Sequence, residues 1–253
     1  MKRDIEDSEA PQSWEAFFAS VSGRLVTEDR EPKQDRSRRR SQEIIAAAVR
    51  VFARDGIARA RISDIAAEAG IPVSSIYDYF KTKEDIAYAI PATRMSEFYA
   101  EFAAQSTRLV TTRARLRLFL RLTTDFARRN PDWARILYLE VWPSVLIKEA
   151  RVRSVIDDFA RVVLKLIQEG GERGEWPPDP NPYQTATILI GAVSQLIITW
   201  LLYRRPRDLS RATGPLVDRL MTLLDTAMPS PVAVAAGVRQ KPARKGGRPR
   251  NAT

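Results

Sequence analysis

Residues 36–89 read RSRRRSQEIIAAAVRVFARDGIARARISDIAAEAGIPVSSIYDYFKTKEDIAYA. Apolar residues recur in this segment at helical spacing, which predicts three short helices and the start of a fourth. The turn Ala69-Gly70-Ile71-Pro72 separates the second helix from the third, since glycine ends helices and proline favours helix starts. Two short helices joined by such a turn are typical of a helix-turn-helix, whose second helix enters a DNA major groove.

The composition of the whole chain favours a nucleic-acid partner over catalysis. The chain has 253 residues, a formal net charge of +10, and neither cysteine nor histidine. A basic balance suits a polyanionic partner, either nucleic acid or an anionic membrane surface. Without histidine or cysteine, the usual zinc ligands, thiol chemistry and Ser-His-Asp arrangements are excluded. We therefore expect no catalytic residue, no metal and no cofactor.

The chain shows no sequence feature of export or of membrane insertion. The N-terminus is mixed in charge and no apolar run follows it, which is not the pattern of a signal peptide. The longest apolar segment, 186–203, is interrupted by Thr187, Ser194, Gln195 and Thr199, so it predicts a buried helix. We expect a cytoplasmic, nucleoid-associated protein with no membrane partner.

The helix-turn-helix segment resembles the N-terminal domain of TetR/AcrR-family transcriptional regulators over about fifty residues. The residues that match in order and spacing are Phe52, Gly56, Asp64-Ile65-Ala66, Ala69-Gly70, Ile76-Tyr77, Tyr79-Phe80 and Lys83-Glu84. The resemblance implies an all-α fold, with an N-terminal three-helix DNA-binding domain over 36–88. It also implies a C-terminal helical domain over 89–228, which binds a small molecule and forms a homodimer.

The third helix, predicted over Val73 to Phe80, is the candidate for reading DNA. Val73 suits a thymine methyl group, Ser74 and Ser75 suit bases or phosphates, and Asp78 suits a cytosine amino group. In the family the positions of Tyr77, Tyr79 and Lys83 are typical DNA contacts, although Tyr79 could instead pack in the core. The remaining candidates for backbone contact are Arg61, Ser63, Arg38 and Arg39. The run 36–40 precedes the first predicted helix and is either a DNA-binding arm or a solvated basic end.

The helical half suggests an effector cavity and a dimer surface. Breaks between its helices are expected near Pro91, Thr111-Thr112, Asn130-Pro131, Gly170-Gly171 to Pro182, and Arg205-Pro206. Clustered aromatic residues commonly line ligand sites between helices, although any single aromatic residue at helical spacing more often belongs to the plain core. The candidate cavity residues are Phe98, Phe102, Phe119, Phe126, Trp133, Tyr138, Trp142 and Phe159. The candidate dimer residues, on the last two long helices, are Leu189, Val193, Leu196, Ile197, Trp200, Leu216, Leu220 and Leu223.

Both ends of the chain differ from the body in composition. Residues 1–35 form an extension with one apolar helical stripe, Trp14, Phe17, Phe18, Val21 and Leu25, which either docks or stays mobile. Residues 229–253 contain six basic residues and no acidic one, which predicts a disordered tail that strengthens DNA binding. Its Gly247-Arg248-Pro249-Arg250 resembles an AT-hook, with Arg248 and Arg250 suited to a narrow minor groove.

The function expected from these features is that of a dimeric transcriptional repressor, released from its DNA operator by an unidentified small-molecule effector. The main alternative is a nucleoid-associated or architectural DNA-binding protein that uses its basic tail and is indifferent to sequence. Two further alternatives are an enzyme in the helical domain and a membrane-surface protein that uses the Trp14 stripe.

Overall fold

The computed structural model describes residues 32–143 and 150–226, with side chains except those of 32–35, 92–93 and 150–155. The described chain is helical, as the sequence predicts. Its α-helices are α1 Pro32–Asp55, α2 Ile62–Ala69, α3 Val73–Tyr77, α4 Lys83–Ser106, α5 Thr112–Arg129, α6 Pro131–Arg135, α7 Ala150–Glu172, α8 Pro182–Tyr203 and α9 Leu209–Leu223. A π-helical segment, Ile136–Val141, continues α6 and is called the π turn below.

Helices α1 to α3 form the head of the molecule. Ile44, Phe52, Ile65 and Ile76 are at most 1% exposed and form its core together with the start of α4. Both predicted glycine stops are confirmed, because Gly56 and Gly70 have φ of 76° and 65° in the left-handed region. The expected start of the first helix after the basic run is wrong, since α1 begins at Pro32 and includes that run.

Helix α4 joins the head to the body without interruption. Its first turn is capped by Thr82, whose hydroxyl accepts from the Asp85 amide, while the Asp85 carboxylate accepts from the Thr82 amide. The expected break at Pro91 is wrong, because α4 continues through that residue to Ser106. The predicted domain boundary at 88/89 therefore falls inside a helix rather than in a linker.

The body consists of the rest of α4 with α5 to α9, packed around an aromatic core. Phe119 lies at its centre, with ring centroids 5.1 Å from Phe102, 5.3 Å from Phe98 and 4.8 Å from Phe159. The first two pairs are edge-to-face, an arrangement that aromatic quadrupoles favour. The core is thus close-packed and leaves little free volume.

The expected break over Gly170-Gly171 to Pro182 is confirmed, since α7 ends at Glu172 and α8 begins at Pro182, although both glycines lie in the last turn of α7. Gly170 faces the buried indole of Trp176, whose Nε1–H donates to the Ile167 carbonyl at 2.9 Å. A β-carbon at Gly170 would lie 1.9 Å from the Trp176 ring. The glycine is therefore required for the close approach of the indole rather than to end a helix.

The segment after α7 also caps the start of α5. The Glu175 carboxylate accepts from the amides of Thr112 and Arg113, each at 2.8 Å, and so satisfies two N–H groups of the first turn. Desolvation raises the pKa of Glu175, but its hydrogen bonds to Thr112 and Arg113 and the charge of Arg173 together outweigh it, and the pKa lies below its usual value. This carboxylate joins two helices that are far apart in the sequence.

Helix α8 is long and apolar enough to cross a membrane by length and composition alone, with a mean hydropathy of 1.8 in its most apolar window. One of its faces lies in the core, where Leu189, Val193 and Ile197 are at most 2% exposed. The prediction of a buried helix is correct for this face only, since Ile188 and Leu202 on the other side are exposed.

Replacing Gly170 by alanine should destabilise the fold through this contact. The Trp176 ring is buried and hydrogen-bonded, so Gly170→Ala should lower the free energy of unfolding by about 1–3 kcal/mol through overpacking. Gly171→Ala is the matched control, because its β-carbon would have its nearest contact at 3.6 Å. Urea midpoints at one fixed protein concentration provide the measurement, and equal midpoints for the two variants would contradict this packing.

Candidate functional site

The outer face of α3 presents the predicted DNA-reading residues. Ile76 is fully buried and fixes the helix on the head, whereas Val73, Tyr77 and Tyr79 are 40%, 54% and 36% exposed. Ser74 and Asp78 are also exposed, and Ser75 is half-buried. This arrangement leaves a short row of polar and aromatic side chains free to enter a groove.

The third helix is shorter than the sequence predicts. It ends at Tyr77, and the amides of Tyr79 and Phe80 then both donate to the Ile76 carbonyl in a turn. The turn packs Phe80 against the core and directs Tyr79 outward. The alternative in which Tyr79 packs in the core therefore does not hold.

The basic run lies on the outer face of the first turns of α1. Arg38 and Arg39 are exposed there, so the expected arm is a rigid helical extension. Arg36, Arg39 and Arg40 line a crevice of about 430 Å³ that also includes Tyr79. The crevice thus brings the basic run beside the end of α3, which suits a backbone phosphate.

The ammonium of Lys83, a predicted phosphate contact, is hydrogen-bonded within the head. It donates to the carbonyls of Ile57, Ala58 and Ala60 at 2.8, 2.9 and 3.1 Å, which uses all three of its donors. Local sequence patterns do not indicate these bonds, because the acceptors are main-chain atoms of a loop 23 to 26 residues away. Lys83 thereby fixes the loop between α1 and α2.

The start of α2 compensates for the absence of a hydroxyl at its N-cap. Arg61 occupies that position without a side-chain cap, but its amide donates to the Asp64 carboxylate at 3.0 Å. The side chains of Arg61 and Ser63 are exposed. Both are therefore available for a phosphate at the N-terminus of α2.

A small apolar cavity lies within the body beside the aromatic core. Its volume is about 30 Å³, which is the room of a single water molecule. Six of the eight predicted residues line it, namely Phe98, Phe126, Trp133, Tyr138, Trp142 and Phe159. The prediction is wrong for Phe102 and Phe119, which fill the adjacent core because their rings pack edge-on with each other.

Two hydroxyl groups give this cavity its polar character. The Tyr138 hydroxyl is hydrogen-bonded to the Ser194 side chain, and both residues are in the wall. Burial raises the pKa of Tyr138 to about 12, and the bond to Ser194 offsets only part of that effect. Tyr138 therefore remains a neutral hydrogen-bond donor at physiological pH, in a wall without any charged side chain.

The predicted dimer residues on α8 and α9 differ in their exposure within one protomer. Leu189, Val193, Ile197 and Leu220 are at most 6% exposed within one protomer and pack in its own core. The face that remains open on α8 includes Ile188, Gly191, Gln195 and Leu202. Leu223 of α9 is 38% exposed, whereas Leu196, Trp200 and Leu216 are half-buried.

Several predictions concern parts of the chain without a described structure. The Trp14 stripe, Arg248 and Arg250 lie outside the described residues. Within 32–143 and 150–226 no group of three or more carboxylates is placed to hold a metal ion.

Two family models match this chain in succession. Residues 44–90 match bacterial regulatory proteins of the tetR family, and residues 92–223 match the C-terminal region of YsiA-like proteins. The second match alone covers more than half of the 253 residues.

Known proteins resemble the chain over nearly their whole length. The fatty acid metabolism regulator protein of Bacillus subtilis is 23% identical over 71% of this chain and 93% of its own. The nucleoid occlusion factor SlmA of Escherichia coli is 29% identical over 73% and 96%.

Solved structures show the same fold. FadR from Bacillus subtilis in complex with stearoyl-CoA has a TM-score of 0.67 at 23% identity, covering 72% of this chain and 97% of that one. FadR from Bacillus halodurans also reaches 0.67 at 22% identity, over 77% and 97%. With both domain matches in sequence order, this chain belongs to the TetR family of DNA-binding transcriptional regulators.

Proposed function

We propose that this regulator is a homodimeric repressor, and that a long-chain acyl thioester releases it from its operator. The observation that carries the proposal is the exposed row of side chains on α3, held by the buried Ile76. A helix anchored by its inner face and polar on its outer face is suited to read base edges in a major groove.

Base reading is assigned to the outer face of α3 and phosphate binding to the surfaces beside it. Val73, Ser74, Ser75, Tyr77 and Asp78 would face the bases or the adjacent backbone. The phosphate contacts would come from Tyr79, Arg38, Arg39, Arg61 and Ser63. Lys83 is left out of this set, because its ammonium is occupied within the head.

The dimer would form through the open faces of α8 and α9. Ile188 and Leu202 are 40% and 50% exposed on α8, and Gly191 lies between them on the same side. Within one protomer, no atom lies within 4 Å of the position that a β-carbon of Gly191 would take. Because Gly191 has no side chain, a helix of the second protomer could approach α8 closely at this point. Two-fold pairing along this surface would place two heads on one operator.

The proposed effector follows from the cavity and from the relatives. The cavity wall is aromatic and aliphatic, which suits a hydrocarbon chain, and the Tyr138 and Ser194 hydroxyls suit a carbonyl oxygen. The structurally similar FadR of Bacillus subtilis is in complex with stearoyl-CoA. A long-chain acyl-CoA is therefore the effector class that we propose.

The alternative of an architectural DNA-binding protein is not favoured. The chain matches family models of regulatory proteins in both of its domains, and a regulator of fatty acid metabolism matches it along nearly its full length.

Tyr77→Ala should weaken binding to an operator selected by the protein from random DNA. The wild type should prefer this operator over random sequence by roughly 10³ or more. Loss of one exposed aromatic contact on α3 should reduce operator affinity about tenfold without changing the urea midpoint. Fluorescence anisotropy at fixed salt measures both affinities, and Tyr77→Phe isolates the contribution of the hydroxyl. A wild-type preference near one would contradict the proposed function.

Ile188→Asp should dissociate the dimer. The side chain is 40% exposed on the proposed α8 surface, and a carboxylate buried there twice by symmetry would be repelled by its copy. Sedimentation velocity should show a monomer at concentrations where the wild type is a dimer, with reduced operator affinity. Val110→Asp is the matched control, because that side chain is 80% exposed at a distance from α8. A dimeric Ile188→Asp protein would contradict the assigned surface.

A further inference from the structure

We infer that occupancy of the cavity is transmitted to the head through the π turn, and that Glu140 is the contact that transmits it. The inference rests on the proposed function, since it names the regulation of the same effector site. It adds a second route between cavity and head, separate from helix α4.

The π turn has one side on the cavity and the other on the head. Tyr138 and Trp142, four residues apart, stack with ring centroids 6.1 Å apart and both line the cavity. Glu140 lies midway between them in sequence and therefore points to the opposite side. Its carboxylate lies over Gly56, where a β-carbon would be 3.5 Å from Oε1. Gly56 is the residue that ends α1, the helix that carries the basic run.

The π turn is also the wall of the cavity that can most readily change. A cavity of about 30 Å³ cannot admit an acyl chain unless its lining moves. The other residues of the wall belong to α4, α5, α6, α7 and α8, which are regular α-helices. The hydrogen bonds of the π turn join residues five apart instead of four, such as that from the Trp142 amide to the Leu137 carbonyl at 2.9 Å. Such segments are rare and lie frequently at functional sites.

The π turn is fixed at the end where it continues α6, so any movement must occur at its other end. The Trp133 indole in α6 donates to the Ile90 carbonyl of α4 at 3.2 Å and packs edge-on against Phe126. A change of hydrogen-bond register in the π turn therefore leaves Trp133 in place and rotates Tyr138 to Trp142. Glu140 rotates with them, and its contact with Gly56 changes whenever the cavity opens.

A coupling contact must have two arrangements that the effector distinguishes. With the cavity closed, Glu140 packs against the end of α1 and holds the head in its DNA-binding position. With the cavity occupied, the rotated π turn withdraws this support and α1 can shift against the body. The Glu140 contact therefore favours the DNA-binding position only while the cavity is empty.

The test separates effector binding from effector action. Stearoyl-CoA binding is followed by tryptophan fluorescence, since Trp133 and Trp142 line the cavity, and operator affinity is measured with and without it. Glu140→Ala should bind stearoyl-CoA at least as tightly as the wild type, because the contact that it removes is made only while the cavity is empty. In the wild type, stearoyl-CoA should lower operator affinity by a factor of roughly 5–150, which is the usual range for such couplings. In Glu140→Ala this factor should be at least fivefold smaller.

Two further variants complete the experiment. Glu172→Ala, which removes an exposed carboxylate at the end of α7, should respond as the wild type does. Glu140→Gln keeps the length of the side chain and should retain the wild-type factor. An unchanged factor in Glu140→Ala overturns the inference alone and leaves the proposed function intact. A wild type that retains its operator in saturating stearoyl-CoA overturns the proposed function and the coupling together.

Discussion

Helix α4 runs without a break from the core of the head into the core of the body, and so links the positions of the two. Its first turns belong to the core of the head, where Ile86 and Ile90 are fully buried. Its later turns belong to the body, where Phe98 and Phe102 lie in the aromatic core. A rigid rod shared by both cores cannot move in one without moving in the other. The orientation of the head is therefore set by how the body packs.

The connections around this rod explain why the head moves as a unit. Lys83, at the start of α4, holds the loop that follows α1 through three carbonyls. Thr82 and Asp85 cap the same turn, and Ile76 fixes α3 in the core beside it. A displacement of α4 or of α1 therefore displaces α3 by a similar amount. A close-packed body does not deform continuously but switches between discrete arrangements. A small change in the body can therefore move α3 to a new position.

Much of this could be predicted from the sequence, since the signals were local. Gly56 and Gly70 indicated helix ends, Thr82 with Asp85 indicated a cap, and the aromatic residues indicated a cavity wall. The errors arose where tertiary contacts decide. Gly170 lies in the last turn of α7 as expected, but no local pattern indicates that it makes room for an indole from outside the helix. Helix α8 is apolar nearly all round, so no periodicity shows that Leu189 faces inward and Ile188 outward.

The proposed release of the operator requires that an effector in the body changes the spacing of the two DNA-binding heads. Because the chain contains no cysteine, Lys81→Cys provides one spin label in each head of the dimer. Pulsed electron–electron double resonance should give a narrow distribution of label-to-label distances on operator DNA, where the two heads lie at the groove spacing of about 34–36 Å. Saturating stearoyl-CoA should shift this distribution as the operator is released. A distribution that is identical with and without bound stearoyl-CoA would contradict the account.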